Sequence, residues 1–575
     1  MDIEIVKDIE KLRLYKDKWQ EILHDQSNEN PFIELDWVIS WWHYFGKHHE
    51  LFVIVLKDSN TIIGFCPFMI TKKWGYKELT FVGKPHASYM DIIIRNKYKE
   101  KAILLVMDFL FQLPGKYLYN FFGLFEESTS HKVINHYLHE RKIPFFTYTL
   151  SCCYQNINND FSSYIKKHFS SKTLRTMRRK EKRLYNLGEL KYEKLNPQDL
   201  EEVFAIHDKR WQKKIGNSEF SKGKTKLFFG DLYKNTNNYS FSTTIDIISL
   251  NKKIIAFIYG FTCRGRYIFY RIAHDDDFYL FSPGELILRE KIKECSKNDI
   301  NIFDFGAGYE PYKGIWADNV ANIKTIIFHN SKFIPRLIYK KNKFISDIRR
   351  TLKSNKSILN FKKYTLGKLK FKFSRENILQ NLKKAQRKGA HYLLLKIISP
   401  LYRNEECNIL YGKLKKINIK NHSQTSYILE EVSINGLKLI MDITGEKASS
   451  ITRRLSMRHK FFLVKRENTI ICYFWVGVSV VELGNVKEKK NISKNGAIIY
   501  DITIMDYKEL LKVWDYLLKD LIYNLYSLGY EDLYIALGME QTGLTQKTEE
   551  KGFNLVEKTF LKCYFCRCYK RIMKC

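Results

Sequence analysis

The sequence predicts an α/β protein made of tandem modules, each a mixed β-sheet flanked by helices. The first observation is a short phrase that occurs three times: two isoleucines, a small residue and an aromatic residue. Each copy follows a polar turn that separates it from another β-rich run, a pattern typical of an antiparallel hairpin. The copies begin at Ile62, Ile254 and Ile470. Three similar hairpins in one chain indicate three copies of one module.

The second observation is the order of segments after each hairpin, which is strand, helix, strand in all three copies. A strand-helix-strand unit of this length indicates two parallel strands joined by a right-handed crossover. A mixed sheet with helices on its faces follows. The predicted segments are 90–94, 98–112 and 117–122 in the first copy, 267–273, 283–296 and 300–305 in the second, and 497–504, 508–528 and 532–537 in the third.

The chain has 575 residues, enough for three modules with separate cores. We assign residues 1–155 to module one, 156–330 to module two and 376–575 to module three. The remaining segment, 331–375, is a basic linker.

Net charge is +35, which is compatible with nucleic acid, an anionic membrane surface or an acidic substrate as a partner. An A/T-rich coding bias would give the same excess of lysine, so bulk charge alone does not select a partner. Residues 332–373 concentrate this charge, with fourteen Lys and Arg against one acid, Asp347. Apolar residues recur there at helical spacing, so an amphipathic helix lying in anionic headgroups is one interpretation. Packing of the apolar stripe on a neighbouring module is the other, and both stay open.

Composition also bears on location and on metal chemistry. We find neither an apolar run of the roughly 20 residues that span a bilayer nor a signal-peptide pattern, which predicts a cytoplasmic protein. Under the membrane interpretation it would be peripheral on the inner face. The eleven cysteines are scattered, which argues against a disulfide framework. Cys563, Cys566 and Cys568 lack a close fourth ligand, so we predict thiols and no metal.

The most specific motif runs from Asp304 to Trp316, as Asp-Phe-x-x-Gly-x-x-x-Tyr-Lys-x-x-Trp. Together with Tyr89-Met90-Asp91, Arg210-Trp211 and Ser282-Pro283-Gly284, it makes residues 1–330 resemble the CelD-type acetyltransferases of the Gcn5-related N-acetyltransferase (GNAT) fold. That family is linked to cell-envelope polysaccharide and is similar to the FemABX aminoacyl-tRNA-dependent transferases. The resemblance implies a bacterial enzyme that moves an acyl group from acyl-CoA to an amine on an envelope polysaccharide or amino-sugar precursor.

The resemblance also implies where the donor binds. In the GNAT fold a helix N-terminus receives the donor pyrophosphate, because its unpaired amides and dipole favour anions. Ser282, Pro283 and Gly284 open the corresponding helix in module two, although Ser282 and Glu285 also fit a capping box. Arg271 precedes it on the strand that faces the donor groove. The usual glycine-rich loop is missing from all three modules, and module three, with Asp506 at this place and no glycine, is predicted to be degenerate for CoA.

Three residues are predicted to carry the chemistry. Lys313 occupies the place of a FemABX lysine, which implies that it stabilises the donor phosphate or the tetrahedral oxyanion. Tyr312 is a proton donor in this interpretation, and Asp91, at the end of the fourth strand of module one, has the family's aspartate position. The predicted acceptor-binding residues are Arg210, Trp211, Trp316, Arg178 and Arg179, with His207 as a weaker candidate. His274 and Asp275 are weaker candidates on the side of the donor groove.

Two other functions stay open at this stage. A FemABX-like ligase that takes an aminoacyl group from tRNA is favoured by the basic charge and by the missing CoA loop. A non-catalytic, membrane-associated scaffold is favoured by the degenerate third module. The sequence does not identify the acceptor.

Overall fold

The computed structural model describes residues 1–157, 160–215, 220, 223–330, 333, 335–341, 343–344, 402–416, 427–467, 469–484, 486, 488–564 and 567–575. It has two compact units. The first contains residues 1–177, 191–276 and 282–370, and the second contains residues 178–190, 277–281 and 371–575. Each is a mixed α/β structure, as predicted, and the two are described separately.

The first unit is built on one large mixed sheet. Its strands are β1 (Asp2–Val6), β2 (Glu50–Asp58), β3 (Thr61–Lys73), β4 (Tyr76–Phe81), β5 (Ile93–Ile94), β6 (Tyr117–Phe125), β7 (Phe145–Asn156), β8 (Leu190–Lys194), β9 (Ser242–Leu250), β10 (Lys253–Cys263), β11 (Arg266–His274), β12 (Ile302–Ala307) and β13 (Asn319–His329). Their order is β1-β2-β3-β4-β6-β13-β7-β12-β11-β10-β9-β8, with β5 paired to β3.

Helices connect the strands of this sheet. Those described before residue 330 are α1 (Ile9–Arg13), α2 (Lys16–Asp25), α3 (Leu35–Phe45), α4 (Lys99–Gln112), α5 (Thr129–Glu140), α6 (Phe161–His168), α7 (Ser171–Tyr185), α8 (Leu200–Ile215), α9 (Gly223–Lys234), α10 (Pro283–Cys295) and α11 (Pro311–Trp316).

The first two predicted hairpins are confirmed as β2–β3 and β9–β10. The predicted crossover of module two is confirmed too, since β11 and β12 are parallel and α10 lies between them in sequence. In module one the predicted strand at 90–94 is too long. Only Ile93 and Ile94 are extended, and they pair with β3. The strand parallel to β6 is instead β4.

The two halves of this sheet exchange strands. β7, from the range assigned to module one, pairs with β12 of module two. β13, at the end of module two, pairs with β6 of module one and also with β7. The apolar core is continuous as well: the ring of Trp37 contacts Phe228 and Phe261, with centroids 5.3 and 5.4 Å apart. Full burial of one such side chain stabilises a fold by about 1.5–3 kcal/mol, so the halves support each other.

The second unit contains the third hairpin and crossover. Its strands are β14 (Tyr402–Lys413), β15 (Tyr427–Val432), β16 (Lys460–Arg466), β17 (Thr469–Val478), β18 (Val480–Leu483), β19 (Glu488–Asn491), β20 (Gly496–Ile504), β21 (Asp532–Gly538), β22 (Asn554–Tyr564) and β23 (Arg567–Lys574). Its later helices are α12 (Leu437–Thr444), α13 (Ala448–Ser456), α14 (Tyr507–Ser527) and α15 (Thr542–Glu550).

The main sheet of the second unit has the order β15-β16-β17-β20-β21-β14-β22-β23, with β18 and β19 paired separately. β16 and β17 form the predicted hairpin, and β20 and β21 are parallel with α14 between them in sequence. The long apolar face of α14 packs on this sheet through buried residues such as Trp514 and Leu518. The third copy of the module is therefore confirmed as a fold.

Little of the predicted amphipathic linker is described. Residues 335–341 are helical, and Tyr339 packs on Phe146 and Leu118 of the large sheet. Residues 345–373, which carry the rest of the predicted helix, lie outside the described residues. In the described part of the chain, no helix is long and apolar enough to cross a bilayer.

Among the cysteines whose side chains the structure describes, all but one follow the prediction. Seven of them are buried free thiols, and Cys575 is an exposed one. Cys568, however, is disulfide-bonded, so the thiol prediction is wrong there. The side chains of residues 563–567 lie outside the described part of the chain.

Candidate active site

A cavity of about 790 Å³ lies in the first unit where β11 and β12 separate. These parallel strands pair only at their beginnings, from Arg266 to Ile268 on β11 and from Ile302 to Asp304 on β12. Beyond Asp304 the strands diverge, so their carboxyl ends form two walls of the cavity. Sites in α/β proteins are commonly built at this edge of a sheet. The cavity lies within the region predicted to carry the donor groove.

Asp304 holds the point of divergence together. Its carboxylate is fully buried and accepts hydrogen bonds from Tyr89 Oη at 2.8 Å and from the Gly306 amide at 2.8 Å. Arg266 Nη1 forms an ion pair with it at 2.9 Å. A buried carboxylate needs such partners, because leaving one charge unpaired costs several kcal/mol. Asp304 therefore fixes the turn that follows β12, and it links that turn to Tyr89 of module one.

The turn after β12 positions Lys313. Gly306 has a φ of +75°, and a Cβ there would lie 2.8 Å from the carbonyl oxygen of Phe269. Only glycine fits this left-handed, crowded place. α11 then begins at Pro311 and brings Lys313 back over the turn, where its ammonium lies 3.2 Å from the Gly308 carbonyl oxygen. The same ammonium lies 5.9 Å from the centre of the Phe269 ring.

Lys313 is 7% exposed and lines the cavity. Desolvation by burial lowers the pKa of its ammonium below the ordinary lysine value, and the nearby Glu310 carboxylate opposes this shift. Tyr312 also lines the cavity, and burial raises the pKa of its phenol above the usual value. A cation with a lowered pKa and a phenol that keeps its proton therefore share one wall.

The N-terminus of α10 contributes Gly284 to the opposite wall. The predicted capping box does not form: Ser282 has a φ of +53° and makes no capping hydrogen bond through its side chain. The left-handed backbone at Ser282 is incompatible with the extended conformation from which an N-cap side chain reaches back. The prediction of a box at Ser282 and Glu285 is therefore wrong, and the hydroxyl of Ser282 does not cap the first turn.

His274 stands between α10 and α8. Its Nε2 lies 2.6 Å from Nη1 of Arg210, which also donates to Asp276 at 2.9 Å. Because a guanidinium only donates, His274 Nε2 accepts and the imidazole carries its proton on Nδ1. A Cβ at Gly284 would lie 3.0 Å from that Nδ1. The Nδ1–H group is therefore held beside the first turn of α10.

Aromatic side chains supply a further part of the lining. Trp316 is 3% exposed and packs edge-on against Phe169, with ring centroids 4.6 Å apart. Trp211 lines the cavity from α8, beside His207. Apolar walls exclude water, which strengthens the electrostatic interactions of a buried cation.

The structure brings most of the predicted site residues to this cavity. Arg210, Trp211, Arg271, Gly284, Tyr312, Lys313 and Trp316 all line it. Asp91 lies elsewhere: it follows β4, outside any strand, lines a separate cavity of about 200 Å³ and is 3.5 Å from Lys99. Its predicted place at a strand end is therefore wrong. Ser282 and Pro283 flank the lining without being part of it, and Arg178 and Arg179 are exposed on α7.

Several lining residues were not predicted. His168 and Thr173 come from α6 and α7, and Glu310 and Phe269 come from the turn before α11 and from β11. Glu310 falls inside the motif from Asp304 to Trp316. Its negative charge three residues before Lys313 could have identified it as a site residue. His168 and Thr173 lie far away in sequence, and no local pattern marks them.

Residues 171–314 match the acetyltransferase (GNAT) domain family. The chain therefore carries a GNAT acetyltransferase domain, and this domain supplies most walls of the cavity. No curated protein matches the chain. The CelD-type assignment stays a prediction.

Solved structures with a similar arrangement share little sequence with this chain. FemX is 11% identical, with 56% of this chain and 97% of FemX covered and a TM-score of 0.41. A conserved protein of unknown function from Bacteroides thetaiotaomicron is 12% identical, with 57% and 100% covered and a TM-score of 0.38. A tandem GNAT protein from the clavulanic acid biosynthesis pathway is 6% identical, with 58% and 100% covered and a TM-score of 0.34.

Proposed function

We propose that the protein is an acyltransferase that moves an acyl group from acyl-CoA to an amine in the cavity of the first unit. The observation that supports this most is that one cavity joins two features that the reaction needs. Gly284, in the first turn of α10, lies on one wall, and the buried cation of Lys313 lies on the other. The cavity is within the size range of small-molecule sites.

The donor would bind along the gap between β11 and β12. The pyrophosphate would lie at the N-terminus of α10, where the helix dipole favours negative charge. Gly284 leaves room for the approach, since any side chain there would press on His274. Arg271, which lines the same wall, adds positive charge. We also propose that acyl-CoA is the donor, because GNAT domains of this kind use it. The proposed reaction uses no metal.

The transfer forms a C–N bond and breaks the C–S bond of the thioester. The neutral amine attacks the carbonyl carbon, and negative charge develops on the carbonyl oxygen. Lys313, oriented by the Gly308 carbonyl, would stabilise that oxyanion. Tyr312, whose phenol keeps its proton, would protonate the departing thiolate and then regain a proton from the new ammonium through solvent.

The acceptor side is proposed to be the wall that carries Arg210, Trp211 and Trp316. That the amine belongs to a cell-envelope polysaccharide or amino-sugar precursor rests on the sequence resemblance alone. The roles of Asp91, Arg178 and Arg179 remain predictions without support from the cavity.

A second candidate function has one observation in its favour. α7 exposes Arg175, Arg178, Arg179 and Lys182 on its surface, and a continuous basic helix face suits the phosphates of RNA. A FemABX-like ligase that uses aminoacyl-tRNA as donor would need such a face.

Calorimetry separates the two donors. We expect acetyl-CoA to bind the full chain with a measurable heat at physiological salt. Aminoacyl-tRNA should bind weakly and lose affinity steeply as salt rises, as non-specific phosphate contacts do. No heat with acetyl-CoA or longer acyl-CoA, together with tight binding of aminoacyl-tRNA over deacylated tRNA, would instead establish the ligase.

A further inference from the structure

The second unit has its own cavity of about 290 Å³, at the place where β20 and β21 separate. These strands pair only from Gly496 to Ile499 and from Asp532 to Ile535. The cavity therefore corresponds in the fold to the candidate active site of the first unit. Its residues, however, differ in chemistry.

The gap between the separated strands is filled by a side chain of the protein itself. Gln541 Nε2 donates to the Ile502 carbonyl oxygen at 3.1 Å, and Gln541 Oε1 accepts from the Gly538 amide at 3.0 Å. One amide thus satisfies backbone groups of β20 and β21 that an extended ligand would otherwise pair with. The carboxylate of Asp506 caps α14 by accepting from the Glu509 amide at 3.0 Å. A negative charge at that helix N-terminus opposes a phosphate ligand.

The remaining space is acidic. Glu446 and Asp501 both line it, and no lysine or arginine does among the described lining residues. Arg454 pairs with Asp501 at 2.9 Å and with Glu446 at 3.5 Å. His459, whose pKa burial lowers to about 4, is neutral at pH 7. Two carboxylates thus face one guanidinium on this wall, and burial raises the pKa of Asp501 while Arg454 opposes that shift.

Asp501 is held in an unusual backbone conformation. Its φ is +50°, and the register of β17 with β20 shifts between Tyr473 and Trp475, so Asp501 lies in a β-bulge. A bulge redirects a side chain, and a left-handed aspartate costs about 1–3 kcal/mol, a strain that clusters at functional sites. The bulge places Asp501 in the cavity wall next to Ile502 and Thr503.

Aromatic rings complete the cavity. Tyr473 and Trp475 line it. The Arg454 guanidinium lies over the Trp475 ring, 4.9 Å from its centre, and the ring of Tyr473 is a second aromatic surface that attracts cations. Trp475 is 1% exposed, and its indole N–H is buried without a hydrogen-bond partner among the described residues. A buried donor of this kind needs an acceptor, which a ligand oxygen would supply.

We propose that the cavity of the second unit binds a small molecule with a protonated primary amine and a neighbouring hydroxyl or carbonyl oxygen. The ammonium binds Glu446 and Asp501 beside the rings of Tyr473 and Trp475, and the oxygen accepts from the indole N–H of Trp475. This binding is separate from the transferase reaction proposed for the first unit, because acyl-CoA has no place in a gap that Gln541 fills.

The test is fluorine NMR of the full chain labelled with fluorotryptophan. The Trp475→Phe variant identifies the Trp475 signal among those of the nine tryptophans. The probes are glucosamine and glycinamide, which represent an amino sugar and an aminoacyl amide. Glucose and N-acetylglucosamine are the neutral controls. We expect at least one of the two amines to shift the Trp475 signal saturably and neither neutral sugar to do so.

The variant Glu446→Gln should weaken this binding by about tenfold, the scale of one charged hydrogen bond. Glu531→Gln, which changes an exposed carboxylate of the same unit, should leave it unchanged. Three results would overturn the proposal: no saturable shift with either amine, an equal shift with glucose, or a saturable shift with acetyl-CoA. The last would assign the cavity to an acyl donor.

Discussion

The ammonium of Lys313 lies 3.2 Å from the carbonyl oxygen of Gly308, across the turn that joins β12 to α11. This bond orients a buried cation over the point where the two central strands separate. Gly308 itself has a φ of +97°, a conformation that glycine adopts without strain. The turn and the lysine therefore form one structural unit, and the proposed stabilisation of the oxyanion depends on it.

The first prediction concerns the donor. Gly284→Glu should weaken acetyl-CoA binding by at least about tenfold, because the new carboxylate would press on His274 and repel the pyrophosphate at the start of α10. Calorimetry measures the change.

Gly223→Glu is the matched control, since Gly223 also begins a helix of the first unit but faces open space. It should bind acetyl-CoA as the unaltered chain does. Equal binding by both variants would place the donor away from α10.

The second prediction concerns stability. Asp304→Ala removes the fully buried carboxylate that accepts hydrogen bonds from Tyr89 and the Gly306 amide, and it leaves Arg266 with Glu29 as its remaining ion-pair partner. We expect the free energy of unfolding of the first unit to fall by about 2–4 kcal/mol, because two buried donors lose their acceptor. Denaturant unfolding, followed by near-ultraviolet circular dichroism, measures it.

Asp299→Ala, at an exposed position before β12, should change the same quantity by less than about 0.5 kcal/mol. If Asp304→Ala were equally harmless, Asp304 would not hold the turn.

The third prediction concerns pH. Burial lowers the pKa of Lys313, so its ammonium loses the proton at a lower pH than an ordinary lysine. If the charged form is required, kcat/KM for acyl transfer should fall on the alkaline side, below the usual lysine range. Lys313→Arg should be slower, but its alkaline limb should move to higher pH, because a guanidinium stays protonated. An alkaline limb at the same pH in Lys313→Arg as in the unaltered chain would show that a group other than Lys313 controls it.

Sequence patterns over a few neighbouring residues correctly predicted the hairpins and the start of α10, because interactions between those neighbours determine these elements. The hairpins follow from polar turns between β-rich runs, and α10 follows from Pro283 at its first position. The run Met90–Ile94 misled the prediction because a buried β-branched stretch resembles a strand wherever it lies. The exchange of β7 and β13 was not predictable, since the choice of a distant strand partner leaves no mark on either segment.

Some residues of the candidate site could be predicted from the sequence, and others could not. Lys313, Tyr312 and Trp316 stood out because they share one short motif. Asp91 was predicted from the family resemblance alone, and the fold places it at another cavity beside Lys99. His168 reaches the candidate site because α6 packs beside α11, where His168 Nδ1 lies 3.0 Å from the Ile315 carbonyl oxygen, which is a property of the tertiary fold.

Lys313→Met tests the central claim most directly. Thiol release from acetyl-CoA would be followed with the best acceptor from a panel of amines, alongside circular dichroism and the thermal midpoint. We expect kcat/KM to fall by about 10²–10³, the loss that follows removal of one preorganised electrostatic contact, with the fold retained. Lys297→Met, at an exposed position after α10, should keep full activity. Turnover by a folded Lys313→Met protein equal to that of Lys297→Met would contradict the account.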